Sequence, residues 1–171
     1  MKKTLLSPSE KLYQKLREQG LDFFVTVPCK LLAEIITLIE NDSEVIYTPV
    51  TREEEGIGVL AGAYLAGKHP AIVMQNSGIG NCINAICSLL NYYSLPIVFI
   101  ISQRGSKGEK IEAQKPMGEA TKALLEAAKV IYYEISTINE LPFIGEGVNK
   151  AYLKQKSVAF LFPFSFWENS R

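Results

Sequence analysis

A run of carboxylates, Glu53, Glu54 and Glu55, stands at the head of a segment rich in small residues. Glu54 has two readings there. Thr51 and Glu54 spell the T-x-x-E of a capping box, and a carboxylate suits a helix start in any case. Alternatively, Glu54 is held out for a ligand. Gly56, Gly58 and Gly62 in the following helix each sacrifice about 1 kcal/mol of helicity relative to Ala, so they are expected to serve close packing or close ligand approach. A second candidate is the polar, glycine-broken turn at 76–81, which follows an apolar strand and carries Asn76, Ser77, Gly78 and Asn81. A third is the irregular segment 102–116, where Arg104, Lys107, Lys110 and Lys115 stand against Glu109 and Glu112. Long polar loops at the carboxyl end of a parallel strand often carry function, and a solvated surface loop is the other reading. Arg can fork toward the oxygens of an anion and Lys supplies a compact charge. Lys30, beside the exit of the first strand, belongs with that cationic group.

Several familiar motifs fail. Residues 62–68 spell the GxxxxGK of a phosphate loop, but His69 stands where Ser or Thr should follow, and the segment ends a helix instead of leaving a strand. Gly56-Ile57-Gly58 lacks a preceding glycine-rich turn, so a dinucleotide fingerprint is unsupported. Ser77 lacks the glycines of a nucleophile elbow, since Gln75 and Ile79 occupy those places. His69, the one histidine, reads as a surface turn residue.

The elements that must position these groups are legible from periodicity. The chain has 171 residues, 47% of them hydrophobic, which suits one domain spanning 1–171 with a full core. Ser7-Pro8-Ser9-Glu10 opens a helix expected to run to Gln19 and stop at Gly20. Apolar strands are expected at 23–27, 45–48, 71–75, 97–101, 130–134 and 158–162, with helical segments between them. That alternation predicts a three-layer α/β/α architecture with a six-stranded parallel sheet and right-handed crossovers. The helix at 139–154 is expected to be the weakest, because Pro142, Gly145 and Gly147 disfavour it. The apolar tail at 160–167 is open to two readings, a subunit contact or burial on its own domain.

Charge and cysteine usage bound the function. Eighteen basic and eighteen acidic residues cancel, so no global field favours nucleic acid or an anionic membrane, and any anion must be recognised locally. No run approaches the roughly 20 apolar residues of a membrane span and no signal-length segment follows the basic start, so the expectation is a cytoplasmic protein. Three cysteines without CxxC spacing predict buried thiols, with no disulfide framework and no metal site.

The pattern R-x-E-x-G, followed by small residues and Ala63-Tyr64-Leu65-Ala66-Gly67, resembles the pyrimidine-binding domain of thiamine-diphosphate enzymes. The segments 49–56, 74–81 (MQNSGIGN) and 103–110 (QRGSKGEK) are together similar to the sulfopyruvate decarboxylase alpha-subunit family. Phosphonopyruvate decarboxylases share a similar turn on a longer chain, and Cys29-Lys30 departs from the Asp-Ser they tend to carry there. The resemblance spans about residues 23–130.

The resemblance implies a 2-keto acid decarboxylase using thiamine diphosphate and Mg2+, with Glu54 on the aminopyrimidine ring as the catalytic and cofactor-binding carboxylate, and Gly78 and Asn81 beside the cofactor. It implies Arg104, Lys30, Lys107 and Asn76 as contacts to the anionic 2-keto acid. The reaction implied is conversion of 3-sulfopyruvate to sulfoacetaldehyde and carbon dioxide in coenzyme M biosynthesis. A phosphonopyruvate decarboxylase subunit, or a non-catalytic partner-binding α/β module, is the alternative. Members of the wider family bind magnesium and diphosphate through a Gly-Asp-Gly motif, which is absent from these 171 residues. The expectation is therefore a hetero-oligomer in which a beta subunit carries the diphosphate-binding domain and holds the magnesium.

Overall fold

In the computed structural model, which describes residues 6–168, six apolar runs lie side by side as one parallel sheet. They are β1 (Phe23–Thr26), β2 (Ile46–Pro49), β3 (Pro70–Gln75), β4 (Val98–Ser102), β5 (Ile131–Glu134) and β6 (Val158–Phe162), in the order β2-β1-β3-β4-β6-β5. Among the described residues seven α-helices accompany the sheet: α1 (Pro8–Glu18), α2 (Ala33–Glu40), α3 (Glu53–Leu65), α4 (Gly78–Ala85), α5 (Lys115–Ala127), α6 (Pro142–Lys154) and α7 (Phe164–Glu168).

The strands read as unbroken apolar runs because both faces of the sheet are covered. Phe24, Val73, Ile100, Phe160 and Phe162 point to one face, where they pack with Leu12 and Leu16 of α1, Ile35 and Ile39 of α2, Ile144 and Val148 of α6 and Phe166 of α7. Val25, Ile72, Met74, Phe99, Ile101 and Leu161 point to the other, against Ile57 and Leu60 of α3, Ile79 and Cys82 of α4 and Leu125 of α5. The three-layer α/β/α expectation holds.

Local signals explain most boundaries. Ser7 Oγ accepts the Glu10 amide at 3.1 Å while the Ser7 amide donates to Glu10 at 2.7 Å, a full capping box, and Gly20 ends the turn at φ +77°. Three strands begin one residue later than their apolar runs suggest. The Val45 amide is used in a turn bond to Asp42 O, the Ile97 amide donates to Ser157 Oγ and the Val130 amide donates to Leu125 O, so none of the three starts a ladder. Helix α6 starts at Pro142, not 139, after a 3-10 turn capped by Thr137 and Glu140. Pro142 costs that helix little in its first turn. Gly147 lets α6 approach the sheet, since a Cβ there would lie 2.6 Å from the Phe160 ring.

The aromatic tail resolves in favour of its own domain. Phe162 and Phe166 are buried, and the Trp167 indole donates to Phe162 O at 3.3 Å. The cysteines differ from one another, because Cys82 is buried, Cys29 half-buried and Cys87 exposed, which corrects the expectation of three buried thiols.

The order of strands places a topological switch between β1 and β3, since the chain leaves β1 for β2 on one side and returns to β3 on the other. Crevices for ligands in parallel sheets open at the carboxyl ends of the strands at such a point. Glu54, the 76–81 turn and the 102–116 segment all follow that edge.

Candidate active site

Helix α3 begins where β2 ends, and Arg52, not Thr51, is its N-cap residue, with extended backbone and no side-chain cap bond. The capping box of Thr51 and Glu54 is therefore not formed. Thr51 Oγ1 instead donates to Glu55 at 2.9 Å. Glu54 is left with one oxygen paired to Arg52 Nη2 at 2.5 Å, and its other oxygen, Oε2, buried without a hydrogen-bond partner among the described residues. A buried acceptor without a donor costs about 1–3 kcal/mol, so this carboxylate oxygen at a helix start is open to a donor from outside the described residues.

Gly78 and Asn81 come together on the neighbouring carboxylate, Glu53. A Cβ on Gly78 would lie 2.6 Å from the Glu53 carboxyl carbon, and Asn81 Nδ2 donates to Glu53 Oε2 at 3.1 Å. These contacts tie the heads of α3 and α4 to each other. Beneath them burial, and then the charges of Glu53 and Glu54, push the Cys82 thiol up to about 12, so it stays protonated.

At the switch point a polar floor joins β1, β3 and β4. Cys29 Sγ lies 3.3 Å from Ser102 Oγ and 3.7 Å from Gln75 Oε1, and Gln75 Nε2 donates to Ser77 Oγ at 2.8 Å and to Gln114 Oε1 at 3.0 Å. Sequence reasoning missed this grouping, because its members come from four separate segments, and although Gln75 and Ser77 lie in the MQNSGIGN run, nothing local joins them to Cys29, Ser102 and Gln114. Asn76 lies below the floor and is not available to a substrate, which corrects the contact expected of it. Its side chain is fully buried, donating to Arg104 O at 3.1 Å and Thr121 Oγ1 at 2.9 Å and accepting the Arg104 amide at 3.1 Å. Asn76 is thus a clamp that fixes where the segment after β4 departs.

That segment is built around Glu109. The Glu109 side chain is 1% exposed and grips Arg104 through Nε at 2.7 Å and Nη2 at 2.9 Å. It also accepts the Gly105 and Ile111 amides at 3.2 and 3.0 Å. The bidentate Arg104 contact, followed by those amides, holds the Glu109 carboxyl down to about 2. Gly105, at φ +75°, has no room for a side chain, since a Cβ would lie 2.8 Å from Gly118 Cα on α5. The loop is pinned at its root.

Arg104 lines a hollow of about 290 Å³ with Lys30, Lys110, Phe164 and Glu168, and its guanidinium lies 5.3 Å from the Phe164 ring centre. Two of the three expected cations, Arg104 and Lys30, therefore share one site. Lys107 does not join them, because it turns to a separate hollow with Glu134 and Ser136 and Lys110 takes the place expected of it. Lys110 was countable in the sequence, but which cations of a loop face one another depends on the turn that Glu109 imposes. Lys68, the lysine of the failed phosphate motif, pairs with Asp22 at 3.3 Å.

A family model described as thiamine pyrophosphate enzyme, N-terminal TPP binding domain, matches residues 8–125. The sulfopyruvate decarboxylase subunit alpha of Methanococcus maripaludis is 42% identical over 167 residues, covering 97% of this chain and 100% of that protein. The phosphonopyruvate decarboxylase of Streptomyces viridochromogenes is 40% identical over 108 residues, covering 63% of this chain and 27% of that protein. Among solved structures, the 2-oxoglutarate:ferredoxin oxidoreductase of Magnetococcus marinus superposes with a TM-score of 0.68 at 14% identity, over 94% of this chain and 29% of that chain, a likeness of fold.

Proposed function

Because the chain belongs to the thiamine pyrophosphate enzyme family through its N-terminal TPP binding domain, and within it to the sulfopyruvate decarboxylase alpha subunits, we propose that its 1–171 span is one pyrimidine-binding domain contributing Glu54 to a shared active site. The enzyme is a thiamine-diphosphate-dependent decarboxylase, and its substrate is sulfopyruvate. Phosphonopyruvate is the less supported alternative, since relatives of that kind match a smaller part of the chain.

The observation that carries this reading is the unpaired, buried Oε2 of Glu54. The aminopyrimidine of the cofactor presents ring and amino nitrogens, and a buried carboxylate oxygen is the acceptor such a ring requires. When bound, thiamine diphosphate supplies the electron sink into which a 2-keto acid can lose carbon dioxide. The protein's part is to bind and orient. Arg52 holds Glu54 Oε1, so the carboxylate presents Oε2 in one direction and can favour the ring tautomer that takes up a proton at the working end. Glu53, Asn81 and Gly78 keep the α3 head in register with α4 and the floor beside it. Gly78 and Asn81 act on the cofactor through that positioning. Arg104 and Lys30 receive the far anionic end of the acid at the hollow, with Lys107 outside this contact.

Among the described residues no group of three His, Cys, Asp or Glu stands together. We place the metal and the diphosphate on a beta subunit, and the product sulfoacetaldehyde in coenzyme M biosynthesis. No described helix is long and apolar enough to cross a membrane, and we assign the enzyme to the cytoplasm. The test is to co-express the chain with its candidate second subunit and assay decarboxylation of sulfopyruvate and phosphonopyruvate with thiamine diphosphate and magnesium. Turnover of sulfopyruvate that requires the cofactor supports the reading. Preference for phosphonopyruvate would overturn the substrate, and activity without the cofactor would overturn the mechanism.

A further inference from the structure

The hollow beside Arg104 carries a charge count that bears on which acid it accepts. Its described charged lining is Lys30, Arg104 and Lys110 against Glu109 and Glu168, one net positive charge. The opposing charges are not equally free to adjust. Glu109 is locked by four bonds from Arg104, Gly105 and Ile111, so its charge cannot swing away when an anion enters. Arg104 has two of its nitrogens committed to that carboxylate, and its Nη1 donates no hydrogen bond among the described residues. Phe164, Leu31 and Ile111 give the hollow an apolar wall, which keeps water from fully screening what binds.

We infer that this hollow selects the acid by the charge of its far end, accepting a monoanionic sulfonate and rejecting a dianionic phosphonate, with Lys110 and Glu168 setting the count. The inference rests on the decarboxylase reading above and adds the basis of its selectivity. A sulfonate is a single negative charge with three acceptor oxygens, so it brings the hollow to neutrality. A phosphonate dianion of the same shape leaves one negative charge uncompensated beside two carboxylates, one of them immovable. Shape cannot separate the two groups, which are both tetrahedral with three terminal oxygens. Charge can, because specificity is a difference of affinities and a fixed like charge is an effective repulsive element. Lys30 and Arg104 draw either anion in, whereas the rim charges Lys110 and Glu168 decide between them.

The test uses the assembled enzyme and two variants of opposite sign. The wild type is expected to show the higher kcat/KM with sulfopyruvate. Glu168→Gln raises the net charge of the hollow and should narrow the ratio of sulfopyruvate to phosphonopyruvate by about fivefold, the order expected for one partly solvated unit charge. Lys110→Gln lowers the charge and should weaken both substrates, phosphonopyruvate more, widening the ratio by about fivefold. A second arm measures binding of methanesulfonate and methylphosphonate to the full chain, by calorimetry at a pH where methylphosphonate is dianionic. There the wild type should prefer methanesulfonate, and Glu168→Gln should lose that preference. If the enzyme decarboxylates sulfopyruvate but neither variant moves the ratio, the inference falls and the function stands. If the assembled enzyme decarboxylates neither acid, the functional reading falls and the binding arm decides alone: retained preference in the wild type, lost in Glu168→Gln, supports the hollow as a charge filter, and equal binding of the two probes overturns it.

Discussion

Glu54 and Glu109 are both carboxylates with buried oxygens, yet their surroundings give them opposite uses. Glu109 has every bond it can use, whereas Glu54 keeps a buried acceptor unpaired. Glu54→Gln retains the size and can keep a bond to Arg52's neighbourhood, but removes the charge that favours a protonated ring nitrogen. In the assembled enzyme it should lower kcat by about 10²–10⁴-fold, the range of acid–base contributions, with circular dichroism and melting temperature almost unchanged. Activity within a few-fold of wild type would return Glu54 to a helix-start role. Glu109→Gln should instead destabilise the chain by about 2–3 kcal/mol, measured from urea unfolding, because it leaves the half-buried Arg104 guanidinium without its charged partner. The sign with pH follows from a folded-state pKa held below the ordinary carboxylate value of 4.5, down to about 2. The stabilisation by Glu109 is complete above about 4.5 and is lost as pH falls toward about 2. Unfolding curves of the two proteins should therefore converge over that acidic window, and a constant gap across it would contradict the pairing.

Helix α3 carries the same residue type in two different situations. A Cβ on Gly56 would lie 2.8 Å from Val25 and 3.1 Å from Ile72, so Gly56→Ala should cost about 1–3 kcal/mol through overpacking against β1 and β3. Nothing lies within 4 Å of the Cβ position of Gly62, so Gly62→Ala should stabilise the isolated chain by up to about 1 kcal/mol through helix propensity. Thermal unfolding of the two variants should move in opposite directions, and a shared direction would mean that the packing account of Gly56 is wrong. The sequence told that these glycines were traded against helicity, but not which of them met the sheet. The same limit recurs elsewhere. Strands and helix order were legible from apolar runs and from Ser7, Pro8 and Gly20, since those signals are local. Thr51 and Glu54 matched a capping box by spacing, but α3 starts from Arg52, so the match had no geometry behind it. Asn76 was visible as part of a polar turn, while its burial depends on Thr121 and Arg104, both more than 25 residues away. The net positive charge of the 102–116 segment was countable. Its division between two hollows was not, because that follows from the buried turn at Glu109.

At the scale of the whole molecule, the carboxyl edge of the sheet carries the unpaired oxygen of Glu54, a polar floor around Gln75 and the hollow beside Arg104. Glu54 carries one unpaired acceptor, and on the proposed reading one hydrogen bond to the cofactor ring cannot retain a soluble diphosphate ester against the entropy lost on binding. Of the cations on this edge, Arg104, Lys30 and Lys110 line one hollow, and Arg52 at the head of α3 is paired with Glu54. We propose that the diphosphate is neutralised by groups of the second subunit. The chain purified alone should accordingly be folded, show no decarboxylase activity and bind thiamine diphosphate weakly, with both activity and tight binding restored on adding that subunit. Isothermal titration of thiamine diphosphate with magnesium into the chain, then into the mixture, measures this directly. A dissociation constant at least about 100-fold tighter in the mixture is expected, equivalent to gaining a few charge-assisted bonds and a metal bridge. Robust turnover by the chain alone would put the metal and diphosphate contacts within these 171 residues and overturn the division of the site between two polypeptides.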